Sequence, residues 1–291
     1  MAFTSAGFPA ELVNEVFVKA QGKSSIARLA GQRPVAFSGS DIMTFEFDGE
    51  VNIVAEGAAK GQHTGKNEPV SMVPIKIEYG QRISNEFQRC SDEKKIEYLR
   101  QFSDGFAKKV ARGLDIMAMH GINPATGAPA ATIGKNCLDK NEDVTPVEYS
   151  ALTPEANIES AVEAIGDYDL TGIIMDKTFR ADLAKLTVNG VKQYPELAWG
   201  NQPGTINGTA VEINSTVSKV QGKHVYAGNF EDAFKWGYAG NIPLEVIEYG
   251  DPDNSGHDLK GYNQVYLRTE AWIGWAILDG SAFARIVEEE S

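Results

Sequence analysis

The longest regular pattern of apolar positions in the chain lies between Asp92 and His120. Apolar side chains recur there every three or four positions, which is the period of one face of an α-helix. They are Ile96, Leu99, Phe102, Phe106, Val110, Leu114 and Met117. Ser91 is a candidate cap before the run, and Gly121 followed by Pro124 ends it. The pattern predicts one helix of about 43 Å that buries a single face.

Two glycines, Gly105 and Gly113, lie inside this predicted helix. Each costs about 1 kcal/mol relative to alanine in a helix interior. We therefore expect another segment of chain to pack closely against the helix at both positions.

The N-terminal part of the chain carries a shorter helical pattern at residues 9–20. Its apolar stripe is Leu12, Val13, Val16, Phe17 and Ala20, with Pro9 at a favoured first helical position. An arm that packs on another molecule and an ordinary core helix explain this stripe equally well. A second short amphipathic turn is predicted at residues 26–29.

Alternation of apolar and polar residues predicts a β region next. One strand is expected at residues 43–47, extended by 51–54, and another at 73–79. Residues 55–69 between them are polar and rich in glycine, and they include Lys60, His63, Lys66 and Glu68. The segment has neither a nucleophile with a base nor a phosphate-binding glycine motif. We therefore interpret it as the tip of a long hairpin that reaches outward.

The segment after the long helix alternates helices and strands. Residues 122–137 predict loops with short strands, and Asn207-Gly208 gives a strong hairpin signal within residues 205–213. The other predicted elements are helices at 154–165 and 178–186, strands at 170–175, 225–226, 234–238 and 242–247, and a loop at 189–204. This order indicates an α/β lobe over residues 151–249.

The last part of the chain holds an acidic turn and two strands. The turn is at residues 251–258, the longest strand pattern in the chain follows at 265–275, and a final strand is predicted at 283–287.

Composition narrows the function classes. The 291 residues carry a formal net charge of −13 and a pI near 4.8, which argues against a protein that grips nucleic acid through a basic face. Cys90 and Cys137 are too few for a disulfide framework. Because no apolar run reaches a membrane-spanning length and the start of the chain lacks a signal-peptide pattern, we expect a soluble cytosolic protein.

Candidate metal ligands are scattered. No histidine stands at a ligand spacing from another histidine or from a cysteine, and the four are His63, His120, His224 and His257. Asp251, Asp253, Ser255 and Gly256 imitate the start of a calcium-binding EF-hand loop. The twelfth position, which should be glutamate, is Tyr262, so we expect an acidic turn without a cation.

Catalytic motifs are not recognisable. The chain has no nucleophile elbow, no P-loop and no paired catalytic carboxylates. Two segments, Asn207–Thr209 and Asn214–Thr216, match the N-glycosylation pattern, which has no meaning without secretion. We therefore predict no catalytic, cofactor-binding or metal-binding residue and no cofactor.

The order of elements resembles the major capsid proteins of tailed bacteriophages, whose fold is named after phage Hong Kong 97. The similarity is greatest in four segments. They are ARGLDIMAMHGINPATGAP at residues 111–129, GTINGTAVEINSTV at residues 204–217, and the two late segments at residues 228–249 and 262–286. The resemblance spans nearly the whole chain, although each motif is loose.

The resemblance implies an α+β fold with an N-terminal arm, an extended β-hairpin loop, a long spine helix, a peripheral domain and an α/β axial domain. The expected boundaries are 1–34 for the N-terminal arm, 35–90 for the extended loop hairpin and flanking strands, 91–150 for the peripheral domain with the spine helix, 151–249 for the axial domain and 250–291 for the return strands of the peripheral domain.

The resemblance also implies a function and partners. We expect a non-enzymatic protein that self-assembles as hexamers and pentamers into an icosahedral phage head, enclosing double-stranded DNA without binding it specifically and contacting no membrane. A portal and possible decoration proteins are implied. A separate scaffolding protein, or none, is implied as well, because an arm helix that begins at Pro9 leaves no room for a built-in scaffolding segment. Some family members cross-link a loop lysine to a neighbouring asparagine, and Lys60 and Lys66 lie in the matching loop, but no partner asparagine is identified here.

Two other functions remain open from the sequence. An encapsulin-like compartment shares the fold but encloses a cargo enzyme. A hydrolase or carbohydrate-binding protein would use the aromatic loop from Tyr194 to Trp199 as its site, and the missing catalytic residues weigh against it.

Overall fold

The computed structural model describes residues 18–47, 51, 53–54, 56–57, 65–86, 90–240 and 244–289. Its helices are α1 (Ser25–Leu29), α2 (Asp92–His120), α3 (Pro154–Ala164), α4 (Lys177–Lys185) and α5 (Phe230–Ala233). Its strands are β1 (Gly31–Gln32), β2 (Ser40–Phe47), β3 (Gly65–Met72), β4 (Ile75–Ser84), β5 (Thr145–Glu148), β6 (Gly172–Met175), β7 (Thr187–Val188), β8 (Val191–Lys192), β9 (Thr205–Ile206), β10 (Thr209–Ile213), β11 (Lys223–Gly228), β12 (Phe234–Ala239), β13 (Leu244–Ile247), β14 (Gln264–Ile277) and β15 (Phe283–Val287). Short 3₁₀ helices lie at Pro195–Gly200 and Val217–Lys219.

The long helix α2 has the predicted bounds. It ends at Gly121, whose left-handed backbone (φ +64°) lets its N–H bond to the carbonyl of Met117. The buried face differs from the prediction at its start, because Ile96 is half exposed and burial begins at Leu99. The expected close approach at the glycines is also wrong. No described atom lies within 4 Å of a Cβ placed at Gly105, and Gly113 has only ordinary contacts.

A five-stranded sheet is built around β14. One edge of β14 pairs antiparallel with β4, from Gln264 opposite Ser84 to Ile273 opposite Ile75. Its other edge pairs first with β13 and then with β12, and β1 adds to β12 in parallel. The apolar face of α2 and this sheet share one large core, which includes Phe106, Trp236 and Trp275.

A six-stranded sheet has the order β5-β15-β11-β6-β10-β9. On one face, α3 and α4 enclose a second core that includes Phe179, Leu183 and Leu197. Residues of the other face, such as Ile174 and Tyr226, belong to the large core of α2. The end of α2 is therefore held between the two sheets.

The membership of these sheets differs from the predicted lobe of residues 151–249. Strands β12 and β13 lie inside those bounds but pair with β14 in the five-stranded sheet. The late strand β15, expected among the return strands of residues 250–291, lies within the six-stranded sheet.

The early hairpin is real, but its second strand was predicted wrongly. The partner of β2 is β3, from Ser40 opposite Met72 to Phe47 opposite Gly65, so residues 65–69 are strand rather than tip. Of the alternating segment 73–79, residues 75–79 belong instead to β4 in the five-stranded sheet, and residues 73 and 74 are not strand. Residues 51, 53 and 54, predicted as strand, are not strand.

Several local predictions are confirmed, and others fall outside the described residues. Asn207 (φ +50°) and Gly208 (φ +89°) turn the hairpin between β9 and β10, as the Asn-Gly pair predicts. Of the predicted helix at residues 9–20, only 18–20 is described, and it is helical. Lys60, His63 and the start of the strand predicted at 242–247 lie outside the described residues. None of the described helices combines the length and hydropathy of a membrane span.

Candidate functional site

The end of α2 carries a buried carboxylate that joins three parts of the molecule. Asp115 is completely buried. Its Oδ1 accepts hydrogen bonds from Ser24 Oγ at 2.6 Å and from the backbone N–H of Ile26 at 3.1 Å. Its Oδ2 accepts from the backbone N–H of Ser25 at 3.1 Å and from Asn214 Nδ2 at 2.7 Å. This cluster therefore ties α1, α2 and the loop after β10 together.

Two opposing effects set the protonation of this carboxylate. Burial disfavours the charged form and raises the pKa of Asp115 to about 6, whereas the four hydrogen bonds lower it. Since burial dominates, the folded protein holds a proton on Asp115 at a higher pH than the unfolded chain does. The contribution of Asp115 to stability is therefore largest in acid and falls as the pH rises from about 4 to 6.

A second buried network lies one turn further along, at His120. Its Nε2 lies 2.9 Å from the carbonyl oxygen of Thr216, and its Nδ1 lies 2.7 Å from Oδ2 of Asp139. The hydroxyl of Tyr226 on β11 donates to Oδ1 of Asp139 at 2.7 Å. Because His120 and Tyr226 are at most 2% exposed, this triad fastens α2 to the six-stranded sheet and has no opening for a substrate.

The two networks explain the segment Asn214–Thr216, which matched the glycosylation pattern. The amide nitrogen of Asn214 bonds to Asp115 and to Ser25 Oγ, and the backbone of Thr216 faces His120. An amide held in this way is unavailable for a glycan, so the segment is structural.

His224 lies on the opposite face of the same sheet. It stacks on the ring of Tyr149 with centroids 3.9 Å apart, and its nitrogens lie 3.4 Å from Asp176 and from Glu288. Burial lowers the pKa of His224, but the two carboxylates outweigh burial and raise it. Asp176 also caps α4 by accepting from the N–H of Phe179. The arrangement supports the start of α4 and the end of β15.

The acidic turn is filled by an arginine. The guanidinium of Arg82 on β4 donates hydrogen bonds to both aspartates. Its Nε lies 2.8 Å from Oδ2 of Asp253, and its Nη2 lies 2.5 Å from Oδ1 of Asp251. It also donates to the carbonyl of His257 at 2.9 Å. The guanidinium holds the pKa of Asp253 well below its usual range. The two aspartates that imitated calcium ligands are therefore both paired with Arg82. Among the described residues, no group of three acidic, histidine or cysteine side chains is placed to hold a metal.

We expect Arg82 to fix the loop between β13 and β14. In Arg82→Ala, Asp251 and Asp253 lose their common cation and repel each other, so the loop should open and trypsin should cut after Lys260 several-fold faster. Arg82→Lys should give an intermediate cleavage rate, because lysine keeps the positive charge but cannot make the paired hydrogen bonds of the planar guanidinium. The matched control is Arg268→Ala, which removes the ion pair with Glu245 elsewhere on the same sheet and should leave this cleavage unchanged. Equal rates in wild type and Arg82→Ala would contradict this role.

The aromatic loop considered for a hydrolase lacks the required groups. Burial, followed by a hydrogen bond to Glu155, raises the pKa of the Tyr194 phenol to about 12, so it is a poor base or nucleophile. Trp199 is fully exposed at a left-handed backbone position (φ +60°). Arg180 donates to the carbonyl of Leu197 and holds the loop in place. Nothing in the loop pairs a nucleophile with a base.

The hairpin of β2 and β3 carries the most exposed aliphatic side chains among the described residues. Within the described part of the chain, its two strands pair only with each other. At its base, Met72 is buried with Val35 and Ala276. Beyond the paired strands, Val51 and Ile53 are 93% and 103% exposed. The pattern of apolar and polar positions predicts these two side chains in a half-buried strand, whereas in the structure no described residue covers them.

Comparison with solved structures identifies the fold. A structure from Mycobacterium phage Ogopogo aligns with a TM-score of 0.74 and 30% identity over 91% of this chain and 92% of the other. One from Gordonia phage Cozz gives a TM-score of 0.74 and 21% identity over 92% and 87%. The capsid of an empty GTA particle gives 0.63 and 13% over 92% and 90%.

The chain belongs to the major capsid proteins of tailed bacteriophages. No protein-family model matches it, and no curated protein gives a significant match, so solved structures alone carry this assignment. The capsid protein has the expected α+β fold of the Hong Kong 97 type. The buried networks described above are consistent with a structural protein, since each of them joins elements of the fold.

Proposed function

We propose that this capsid protein builds an icosahedral phage head from hexamers and pentamers that enclose double-stranded DNA. The observation that carries the proposal is the hairpin of β2 and β3, which presents Val51 and Ile53 to solvent within a shell-forming fold. Exposed aliphatic side chains at the end of a long arm are suited to burial against another molecule. In a closed symmetric assembly, one such contact is repeated at every subunit.

We assign the parts of the fold accordingly. Helix α2 is the spine helix, the β2–β3 hairpin is the extended loop, and the segment before α1 is the N-terminal arm. The five-stranded sheet with the spine helix is the peripheral domain, and the six-stranded sheet with α3 and α4 is the axial domain. The pairing of the strands supports this division better than the boundaries expected from the sequence.

The proposed contact is tested by placing charges at the tip. Val51→Asp with Ile53→Asp should leave the melting temperature of the subunit within a few degrees of wild type, because neither side chain is buried in its own chain. Closed shells should disappear from electron micrographs, since two carboxylates would have to be buried at each contact. The matched control is Leu152→Asp, at an aliphatic side chain that is 89% exposed outside the hairpin. Normal shells from the tip variant would contradict the proposal, as would equal loss of shells in the control.

The enclosed molecule is proposed to be DNA held without specific contacts. A net charge of −13 on each chain opposes tight binding to a polyanion. Particles isolated from the producing cells should therefore contain DNA that is protected from nuclease. Release of this DNA should leave the shell protein intact. An enclosed enzyme in place of DNA would favour the encapsulin-like alternative.

From the family resemblance we also propose a portal, a separate scaffolding protein and decoration proteins as partners, and assembly in the cytoplasm of the bacterial host.

Covalent cross-linking is not part of the proposal. We expect shells to dissociate into single chains in hot detergent, because a lysine in the extended loop does not by itself form an isopeptide bond. The measurement is a denaturing gel of purified particles. A ladder of linked chains that disappears in Lys60→Ala or Lys66→Ala would contradict this expectation.

A further inference from the structure

The spine helix exposes a basic face on an otherwise acidic protein. Residues 94–112 hold six basic and two acidic side chains, a net charge of +4, so the other residues of the chain sum to −17. Positions three or four apart lie on one side of a helix, and they form an exposed stripe along this segment. The basic stripe consists of Lys94, Tyr98, Gln101, Gly105, Lys108 and Arg112, and its five side chains are exposed.

The cations of the basic stripe are not used inside the subunit. Within the described part of the chain, the side chains of Lys94, Lys108 and Arg112 form no ion pair. Tyr98 adds an aromatic ring that is 51% exposed between the first two turns of the stripe. Exposed cations with an aromatic ring among them are typical of surfaces that bind nucleic acid.

The two carboxylates on the same side of the helix already have partners. Glu97 accepts from Nε2 of Gln101 at 3.4 Å. Asp104 lies 2.6 Å from Nζ of Lys19, and the charge of Lys23 also acts on it. These lysines from the segment before α1 offset Asp104, so the face as a whole remains positive.

The middle of the basic stripe is open. Gly105 lies there, and no described atom comes within 4 Å of a Cβ placed on it. Glycine costs stability in a helix interior relative to alanine, and no described contact of the subunit requires it. A position without a side chain lets a straight partner lie close to the helix. From residue 94 to residue 112 the stripe is about 27 Å long.

We propose that the basic stripe binds phosphates of duplex DNA without regard to base sequence, so that the spine helix is the side of the subunit that faces the enclosed DNA. This inference rests on the proposed function. A duplex carries one phosphate charge per 1.7 Å, so the stripe spans about 16 of them and finds partners in any register. An acidic polypeptide would need carboxylates at matching positions. The contact is weak, because the rest of the subunit repels DNA.

Lysine acetylation in isolated particles tests the contact where it occurs. Filled particles and the same particles after release of their DNA are treated with a small acetylating reagent, and modified lysines are quantified by mass spectrometry. Lys94 and Lys108 should react several-fold more slowly in filled particles, whereas Lys177 and Lys219, exposed outside the stripe, should react equally in both. Equal reaction of Lys94 and Lys108 in both would overturn the proposal. Slow reaction in both would overturn it in favour of an acidic protein partner.

Separate subunits decide the proposal if the particles hold no DNA, a result that would contradict only the proposed function. Binding to a fluorescent duplex of mixed sequence is measured by anisotropy at several salt concentrations. For three phosphate contacts, the logarithm of the affinity should fall with the logarithm of the salt concentration with a slope of about −2.7. The variant Lys94→Gln, Lys108→Gln, Arg112→Gln should lose this slope and bind about ten-fold or more weakly at low salt.

The matched control is Lys177→Gln, Lys192→Gln, Lys219→Gln, which changes the net charge equally at exposed positions outside the stripe and should bind nearly as wild type does. Absence of binding by wild type at low salt, or equal weakening in both variants, would overturn the proposal.

A single position separates charge from structure. Gly105→Glu places a carboxylate in the middle of the stripe without meeting a described atom, and Gly105→Gln places a neutral side chain of the same size there. Both variants should fold. Gly105→Glu should bind the duplex several-fold more weakly than Gly105→Gln, and equal affinities would contradict a phosphate contact at this face.

Discussion

Phe106→Asp is expected to yield unfolded or insoluble capsid protein. Phe106 is 1% exposed in the core between the spine helix and the five-stranded sheet. Removal of a buried phenylalanine side chain costs about 3–5 kcal/mol, and an unpaired buried carboxylate adds further to this. Since small domains are stable by only about 5–15 kcal/mol, little folded protein should remain. Circular dichroism and the soluble fraction after expression measure the effect.

The control is the same substitution three turns earlier. Ile96 belongs to the same sequence pattern, but it is 50% exposed. Ile96→Asp should therefore cost under about 1 kcal/mol and leave a folded subunit. Equal damage from both variants would mean that the spine helix is buried along its whole predicted stripe, and a folded Phe106→Asp would mean that the stripe is not buried at all.

Excision of the hairpin tip is expected to abolish shells while the subunit stays folded. Phe47 and Gly65 face each other as the last described pair of β2 and β3. Residues 48–64 can therefore be replaced by Asn-Gly, which forms a two-residue turn between paired strands. Shortening a flexible loop changes its closure free energy by only about 0.6 kcal/mol for each halving. The melting temperature should thus stay the same or rise slightly, while electron microscopy shows capsomers, monomers or irregular sheets.

This design keeps the paired strands, so it separates assembly from folding. A large fall in melting temperature would show that residues 48–64 contribute to the core of their own subunit. Normal closed particles would show that the extended loop makes no essential contact with a neighbour.

The features that could be predicted are those with a local cause. The spine helix follows from a stripe of apolar residues and from Gly121, which supplies the left-handed end. The turn at Asn207-Gly208 follows from the backbone preferences of those two residues. The long strand β14 follows from strict alternation between Val265 and Trp275.

The second strand of the extended loop could not be predicted in the same way. The sequence of β3, GKNEPVSM, has no alternation of apolar and polar residues and contains Pro69. Its strand structure comes from pairing with β2, and proline is tolerated there because no other described strand pairs with the second edge of either strand. In the segment with clear alternation, residues 75–79 pair with β14 almost two hundred positions away.

The polar junction at Asp115 was missed for a related reason. Its partners Ser24 and Asn214 lie 91 and 99 positions away in sequence, so no local pattern brings them together. One signal was present, since Asp115 is a charged residue between Leu114 and Ile116 in the apolar half of the helix. A buried charge in such a place requires several hydrogen-bond partners, which the structure supplies.

Electron microscopy of the purified chain tests the central claim most directly. If this protein builds a phage head, it should form rings of five and six subunits or closed shells, and mass measurement should give matching multiples of 31.6 kDa. Closed shells should be lost in the variant that replaces residues 48–64, which should leave capsomers, monomers or irregular sheets. A chain that stays monomeric at every concentration, both on its own and in the cells that produce the phage, with no rings or shells in the images, would contradict the account.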